Sequence, residues 1–232
     1  MNEFDQTYLD PADQSKEDAA TARDGVSPAV IKRLPRYYRY LRELIRQDKL
    51  RISSSELSRM MNVTASQIRQ DFNCFGGFGQ QGYGYPVGQL RDSIAGILSL
   101  DRPRTAILVG VGKIGRALMG NFRFDRVGIE LIGAFDSNPE LTGTDVSGVS
   151  VLHADQLEAF LQERKPDIAI LTLPQEHART VARNLVQFGI KALWNFTNTD
   201  LQLPEDGPQI PVENVHFSDS LMVLAYRLKE DE

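Results

Sequence analysis

Three glycines and an aspartate have the spacing of a dinucleotide-binding site. Gly110, Gly112 and Gly115 lie between an apolar stretch typical of a strand and a run typical of a helix. The first permits a tight turn, the second lets the backbone approach a pyrophosphate, and the third allows close helix–strand packing. Asp136 follows 21 residues after Gly115, where a carboxylate can bind a ribose and repel the extra phosphate of NADP. We therefore expect an NAD(H) site formed by Gly110, Val111, Gly112, Lys113, Ile114, Gly115 and Asp136.

Catalytic groupings do not accompany this site in the sequence. The three histidines, His153, His177 and His216, are far apart, and none stands beside an Asp or Arg in a catalytic arrangement. The sequence has no Cys/His cluster with metal-ligand spacing and no Gly-x-Ser-x-Gly motif. We expect no catalytic residue, no metal and no enzyme activity.

The composition is that of an ordinary globular protein. Its single cysteine, Cys74, excludes an internal disulfide framework and fits a reducing compartment. No apolar run approaches the roughly 18 residues of a membrane span, and the first residues lack the pattern of a secretory signal. These features predict a cytoplasmic protein without a membrane partner.

A basic segment separates two acidic ones. Residues 1–27 hold two basic and seven acidic side chains, residues 28–104 thirteen and six, and residues 105–232 eleven and eighteen. The middle segment therefore carries a net charge of +7 in a chain whose total is −5. From charge alone, a polyanion partner and an ordinary solvated helix remain equally good interpretations.

The basic segment predicts a helix-turn-helix. A first helix begins at Ser27-Pro28, and two capping boxes, Ser53–Glu56 and Thr64–Gln67, open two short helices joined by a turn. The apolar spacing predicts that the first helix buries Ile31, Leu34, Tyr38, Leu41 and Ile45, the second Leu57, Met60 and Met61, and the third Ile68, Phe72 and Phe75. The glycine-rich stretch 76–85 favours a β-hairpin, as in the wing of a winged helix.

The third helix has a polar face suited to DNA. Arginine pairs with guanine edges, and glutamine or asparagine with adenine edges, in the major groove. We expect base or backbone contacts from Ser66, Arg69, Gln70 and Asn73, with Ser54, Ser55 and Tyr83 positioning the DNA backbone. A helical protein-interaction module with an ordinary polar face is the alternative.

From Thr105 onward, strand and helix patterns alternate. Strands are predicted at 106–109, 130–135, 168–173 and 192–196, with helices around 113–121, 155–163 and 176–188 between them. This alternation indicates an α/β fold with a parallel, doubly wound sheet. A last helix over 218–229 carries Leu221, Leu224, Ala225 and Leu228 on one face. The predicted organisation is a disordered acidic tail (1–27), a winged-helix DNA-binding domain (28–100), a Rossmann NAD(H)-binding domain (101–215) and a C-terminal helix (216–232).

Taken in order, these motifs resemble the redox-sensing transcriptional repressor family Rex of Gram-positive bacteria. The resemblance covers residues 28–229 and is carried by segments 31–41, 53–56, 63–71, 76–85, the glycine turn, Phe135-Asp136 and Trp194-Asn-Phe196. It implies a homodimer that binds an inverted-repeat operator, with the C-terminal helix exchanged between subunits. NADH would release the DNA, whereas NAD+ would compete and permit binding. It also implies that Thr172, Leu173 and Pro174 line the cofactor cleft and that Phe217 of the partner subunit approaches the nicotinamide.

Several positions depart from the family pattern. Gln80 and Gln81 replace basic residues of the wing, Gln70 replaces a common lysine, and Asn121 replaces a frequent tyrosine near the nicotinamide. His216 stands where an aspartate often pairs with an arginine of the first helix, here Arg39. We expect Arg39 and His216 to act in switching between the two domains.

Two other functions fit parts of the sequence. A small NAD-dependent oxidoreductase with a helical appendage would turn over NADH with a carbonyl substrate. A coenzyme A-binding or scaffold module would have no affinity for DNA and little for NADH.

Overall fold

The computed structural model describes residues 26–75 and 83–228, which form two compact units. The first unit ends at Asp101 and the second begins at Arg102. The predicted acidic tail up to residue 25, the hairpin residues 76–82 and the end of the chain from residue 229 lie outside the described residues. None of the helices that the structure describes has the length and apolar character needed to cross a bilayer.

The described part of the first unit is helical, with one short strand pair. Its helices are α1 (Pro28–Arg46), α2 (Ser54–Met61), α3 (Ala65–Asn73) and α4 (Val87–Ile97). Strands β1 (Arg51–Ile52) and β2 (Tyr85–Pro86) pair antiparallel.

Side-chain caps fix where the first three helices begin. The hydroxyl of Ser27 accepts from the N–H of Val30 ahead of α1, and Ser53 and Glu56 form the predicted capping box of α2. Thr64 caps α3 by accepting from the N–H of Gln67. The second predicted capping box does not form, because the Gln67 amide donates to Asp71 instead.

The buried stripe of α1 differs from the predicted one. Val30, Tyr37 and Leu44 are buried with Leu34 and Leu41, whereas the expected Ile31, Tyr38 and Ile45 are only partly buried. Apolar residues form two adjacent rows along α1, and either row could face the core. In the structure the row that contains Tyr37 is the buried one. The Tyr37 ring packs on the Phe72 ring, and its hydroxyl donates a hydrogen bond to buried Asp71. The apolar ring therefore has an apolar contact and the buried hydroxyl has a hydrogen-bond partner.

Two further expectations about burial need correction. Met60 of α2 is 38% exposed, because Leu57 and Met61 already fill the inward face of this short helix. Phe75 lies beyond the end of α3 and is only partly buried, while Ile68 and Phe72 are buried as predicted.

The second unit is built on one seven-stranded sheet. Its strand order is β5-β6-β4-β3-β7-β8-β9, and every neighbouring pair except β5–β6 is parallel. The strands are β3 (Arg104–Val109), β4 (Ile129–Asp136), β5 (Asp145–Val146), β6 (Val149–His153), β7 (Ile168–Leu171), β8 (Ala192–Asn195) and β9 (Val212–Asn214).

Helices pack on both faces of this sheet, which confirms the predicted α/β class. They are α5 (Lys113–Asn121), α6 (Leu157–Arg164) and α7 (Gln175–Gln187), with 3-10 turns at Phe124–Val127 and Ala154–Gln156. A last helix, α8 (Phe217–Leu228), is exposed along its length and contributes no residue to either core. Because side chains alternate along a strand, Ile107 of β3 joins a core with Leu161 of α6 and Leu185 of α7. Its neighbour Leu108 joins a second core with Met119 of α5.

The sequence pattern missed three strands in this unit. Strands β5 and β9 have two and three residues, too few for a clear alternation of apolar and polar side chains. Strand β6 has five residues, but its adjacent apolar Val151 and Leu152 interrupt the alternation. The predicted strand 168–173 ends at Leu171, because Thr172 leaves the sheet to contact the glycine turn.

Candidate nucleotide-binding and DNA-binding sites

The glycine turn requires glycine at its first and last positions. Gly110 has φ +100°, and a Cβ there would lie 2.7 Å from the backbone N of Leu173. A Cβ on Gly115 would overlap the carbonyl oxygen of Gly110. Gly112, the N-cap residue of α5, instead faces open space. The turn is therefore packed tightly against the protein behind and left open in front of the helix N-terminus.

Three parallel strands hold this turn at their carboxyl ends. The N–H of Gly110 donates to the Phe135 carbonyl on β4 at 2.8 Å. On the other side, Thr172 after β7 donates from its hydroxyl to the Gly110 carbonyl at 2.6 Å. From β3 the chain continues to β4 and β6 on one side of the sheet, and it then returns to β7 and β8 on the other side. The crevice between β3 and β7 is therefore a topological switch point, which is where α/β sheets bind ligands.

Asp136 is tied to the turn by its backbone contacts. One carboxylate oxygen accepts from the N–H of Val111 at 2.6 Å, and the other accepts from the N–H of Asn138 at 2.8 Å. These two bonds fix the carboxylate beside the turn while leaving it partly exposed. A ribose at this edge would meet a carboxylate that is already oriented.

An apolar cavity of about 510 Å³ adjoins the first turns of α5. It is lined by Lys113, Ile114, Ala117, Leu118, Asn121, Phe122, Phe196 and Phe217. Phe217 is the same chain's residue at the start of α8, 6.2 Å from the Phe196 ring centroid. Phe196 in turn packs on Trp194 at 4.6 Å, which joins the cavity wall to the only tryptophan of the chain.

The structure brings most of the predicted nucleotide residues to one edge of the sheet. Lys113 and Ile114 are exposed on the first turn of α5, and Thr172 and Leu173 are partly buried opposite Gly110. Pro174 is exposed as the N-cap residue of α7.

Sequence reasoning missed several residues of this region. The Arg116 guanidinium donates to the Val111 carbonyl at 3.1 Å and so bonds to the glycine turn from α5. Buried Asn195 donates to the Thr199 carbonyl and to Asn214, and its oxygen accepts from Thr197. An asparagine at the end of an apolar strand was the available signal for this network, whereas nothing in the sequence marks Arg116.

The predicted DNA-reading residues share one exposed side of α3. Ser66, Arg69, Gln70 and Asn73 are all exposed. Arg69 donates to the Ser54 hydroxyl of α2 at 3.2 Å, so the two helices present a joint polar surface, with Ser55 exposed beside it. Tyr83 is 73% exposed, and its carbonyl accepts from Arg51 of β1 at 2.8 Å.

The opposite side of α3 contains a buried ionic cluster. Asp71 has no exposed surface and accepts two hydrogen bonds from Arg33, one from the Tyr37 hydroxyl and one from Gln67. Burial alone would raise the pKa of the Asp71 carboxyl, but these hydrogen bonds outweigh burial and leave its pKa lowered. Burial and the bond to Asp71 raise the pKa of Tyr37. The cluster therefore holds a charged carboxylate inside the unit.

The two predicted switch residues lie in different units. Arg39 is exposed on α1. His216 directly precedes α8, with Nδ1 3.4 Å from Oδ1 of Asn198 and Nε2 3.7 Å from Oδ1 of Asp200. Across residues 26–75 and 83–228, no three His, Cys, Asp or Glu side chains converge in a way that could hold a metal ion.

Two family models match the chain, one for each unit. Residues 25–73 match the model described as "Putative DNA-binding protein N-terminus", and residues 101–199 match the model of a CoA binding domain.

Characterised relatives match nearly the whole chain. A redox-sensing transcriptional repressor Rex from Thermoanaerobacter sp. (strain X514) is 50% identical over 207 residues, covering 89% of this chain and 91% of the relative. A crystal structure of RSP in complex with beta-NAD+ and operator DNA superposes with a TM-score of 0.81 at 50% identity, covering 89% of this chain and 94% of RSP. A crystal structure of RSP in complex with beta-NADH superposes with a TM-score of 0.80 at 47% identity, covering 89% of this chain and 95% of RSP. This chain therefore belongs to the Rex family of redox-sensing transcriptional repressors.

Proposed function

We propose that the chain is an NADH-responsive repressor that binds operator DNA and is released from it when NADH occupies the second unit. One observation carries the proposal. The glycine turn, the oriented Asp136 carboxylate and the apolar cavity all lie around the N-terminal end of α5, as an extended dinucleotide requires. RSP, at 47–50% identity, has been crystallised with beta-NAD+, beta-NADH and operator DNA.

The parts of the dinucleotide have distinct environments. The pyrophosphate would face the free N–H groups and positive dipole end of α5 at Gly112 and Lys113. The adenosine ribose would bind Asp136, and the nicotinamide would enter the cavity at Phe196. In a dimer with exchanged α8 helices, the Phe217 at this cavity would come from the partner subunit. That lining is mainly apolar and its one charged residue is the cation Lys113, so it disfavours the positive ring of NAD+ relative to the neutral ring of NADH.

The first unit would bind the operator. Helix α3 would enter the major groove with Ser66, Arg69, Gln70 and Asn73, and Ser54, Ser55 and Tyr83 would contact the DNA backbone. Support comes from the exposure of all these residues except the partly buried Ser54, and from the Arg69–Ser54 bond that joins α2 to α3.

Helix α8 supports a homodimer. All of its residues are exposed, including the large apolar Leu221, Leu224 and Leu228 at 66%, 55% and 64%. An exposed apolar helix marks a protein interface, and exchange of α8 between two copies would cover it. A dimer with two-fold symmetry matches an inverted-repeat operator.

We propose a separate function for each of the two units and for the last helix. We assign 28–100 to DNA binding, 101–215 to NAD(H) binding and 216–232 to the exchanged helix, with Arg39 and His216 contributing to the switch. The matched relatives are transcriptional repressors, so the nucleotide would be sensed in the cytoplasm without turnover.

Coenzyme A is a second candidate ligand because the second unit matches a CoA-binding model. Coenzyme A carries a phosphate on its adenosine ribose. The fixed Asp136 carboxylate would repel such a phosphate, as it would that of NADP.

A DNA-binding titration with different ligands tests the proposal. The purified chain is titrated onto an inverted-repeat duplex without ligand and with NADH, NAD+ or coenzyme A. We expect loss of binding with NADH alone. Release by coenzyme A would favour the second candidate, and no binding in any arm would contradict the proposal. Consumption of NADH with carbonyl substrates would instead favour an oxidoreductase.

A further inference from the structure

The buried cluster around Asp71 joins α3 to α1. The Arg33 guanidinium donates to both Asp71 carboxylate oxygens, from Nε and from Nη2, at 2.7 Å each. Tyr37, one helical turn after Arg33, donates its hydroxyl to the same carboxylate at 2.7 Å. A planar guanidinium in this two-point arrangement fixes both the distance and the orientation of its partner. The contact therefore sets the rotation of α3 against α1.

Stability alone is a weak reason for such a cluster. Replacing a buried ion pair by apolar side chains of similar volume is often neutral or stabilising, because the charges no longer have to be desolvated. The neighbouring packing is already apolar, with Phe72 between the rings of Tyr37 and Tyr85 at 4.9 and 5.0 Å. An apolar trio would fit these surroundings but would lack the directional bonds.

The cluster lies opposite the exposed polar side of α3. Asp71 belongs to the same helix as Arg69, Gln70 and Asn73. Because the helix turns as a unit, any rotation of α3 about its axis would move these three exposed side chains together. Further bonds hold the preceding helix. Arg36 of α1 donates to the Met61 carbonyl at the end of α2, and Lys49 pairs with Glu56 of α2 at 2.8 Å.

We propose that Arg33, Tyr37 and Asp71 are positioning residues for base recognition. They set the rotation at which α3 presents its exposed side chains to DNA. Gln67, whose amide donates to Asp71 at 2.8 Å, belongs to this cluster and does not read a base. The inference rests on the proposed function of the first unit.

A triple variant separates positioning from stability. Arg33→Met, Tyr37→Phe and Asp71→Val together replace the cluster by apolar side chains of nearly the same total volume, which avoids overpacking, and leave the net charge unchanged. Glu43→Leu with Arg46→Met is the matched control, because it removes an exposed ion pair of α1 at the same net charge. Affinities are measured for the duplex that the wild-type protein selects from a random-sequence pool and for a scrambled duplex. Urea unfolding is followed in parallel.

We expect the triple variant to keep its unfolding midpoint and its affinity for scrambled DNA, while its preference for the selected duplex falls about tenfold or more, as for a lost base contact. The control should keep the wild-type preference. An unchanged preference in the triple variant, or an equal loss of both affinities together with stability, would overturn the proposal. If wild-type protein selects no sequence, the proposed function itself fails.

Two single variants complete the test. Asp71→Asn keeps the shape of the side chain but weakens the paired bonds to Arg33, and should lower the preference even if the triple variant does not fold. Gln67→Ala should select the same bases at every position as the wild type. Full preference in Asp71→Asn, or an altered selected sequence in Gln67→Ala, would contradict the assignment.

Discussion

The carboxylate of Asp136 accepts a hydrogen bond from the backbone N–H of Val111 at 2.6 Å. The bond spans the carboxyl ends of two neighbouring strands and places a fixed negative charge beside the glycine turn. We expect this charge both to fix the turn and to bind the ribose of NADH.

Asp136→Ala should weaken NADH binding by about tenfold or more, because a charged hydrogen-bond acceptor is lost. The preference for NADH over NADPH should also relax, since the repulsion of the extra phosphate disappears. Energy transfer from Trp194 to the reduced nicotinamide measures both affinities. Asp206→Ala, an exposed acidic position, is the control; equal behaviour of the two variants would contradict the role of Asp136.

Gly115→Ala should disrupt nucleotide binding, because the added methyl group overlaps the Gly110 carbonyl oxygen and forces the turn to move. Gly120→Ala is the matched control on the same helix, where the nearest atom to a new Cβ is the Ser147 hydroxyl at 3.9 Å. The control should bind NADH normally and gain up to about 1 kcal/mol from helix propensity. Thermal unfolding and NADH titration of both variants check this contrast.

Arg69→Ala should lower affinity for the selected duplex by about 1–3 kcal/mol and relax base preference at one position in each half-site. Arg59→Ala, an exposed arginine on α2, should change little beyond a general charge effect. Fluorescence anisotropy with singly substituted duplexes distinguishes the two. An unaltered preference profile in Arg69→Ala would remove this residue from the set of base readers.

Glu56 should make the first unit sensitive to acid. The bond from Lys49, with further bonds from Ser53, lowers the pKa of Glu56 from 4.5 to about 2. A lowered folded-state pKa means that its contribution is full above pH 4.5 and is lost as the pH falls towards 2. Glu56→Gln and Lys49→Met should both reduce the pH dependence of the unfolding free energy in this window, measured by urea unfolding with circular dichroism. A wild-type dependence in Glu56→Gln would contradict this origin.

Leu221→Glu with Leu224→Glu should yield a monomer, because charges on the apolar side of α8 cannot be buried against a second copy. Light scattering measures the mass, and the operator titration should show weaker binding. Ser220→Glu, on the same exposed helix, is the control for added charge. A dimer of unchanged stability in the double variant would exclude α8 from the interface.

The conformation of the glycine turn was predictable because each of its parts is local in sequence. Gly110, Gly112 and Gly115 specify a turn and a helix start by backbone geometry alone, and helix α5 begins and ends as predicted. The role of Arg116 was not predictable, because its bond to Val111 depends on the direction of one long side chain. Phe122 and Phe196 likewise come together only through packing of separate segments.

The first helix shows where periodicity reaches its limit. Tyr37 and Tyr38 are adjacent, and the apolar spacing of α1 suits either as the buried residue. In the observed setting Tyr37 is buried with Val30, Leu34, Leu41 and Leu44, and its hydroxyl donates to Asp71, 34 residues away in the chain. The spacing of apolar residues within α1 contains no information about this distant partner, so the sequence leaves both settings open.

The exposed apolar side of α8 has a consequence for how a cell would read the signal. Assembly of two copies depends on the square of the chain concentration, whereas nucleotide occupancy depends on the nucleotide alone. At a low concentration of the repressor, part of it would be monomeric and would not bind the operator, whatever the NADH level. The threshold of the genetic response would then shift with the amount of repressor made, so that control of its own synthesis would tune the sensitivity of the circuit.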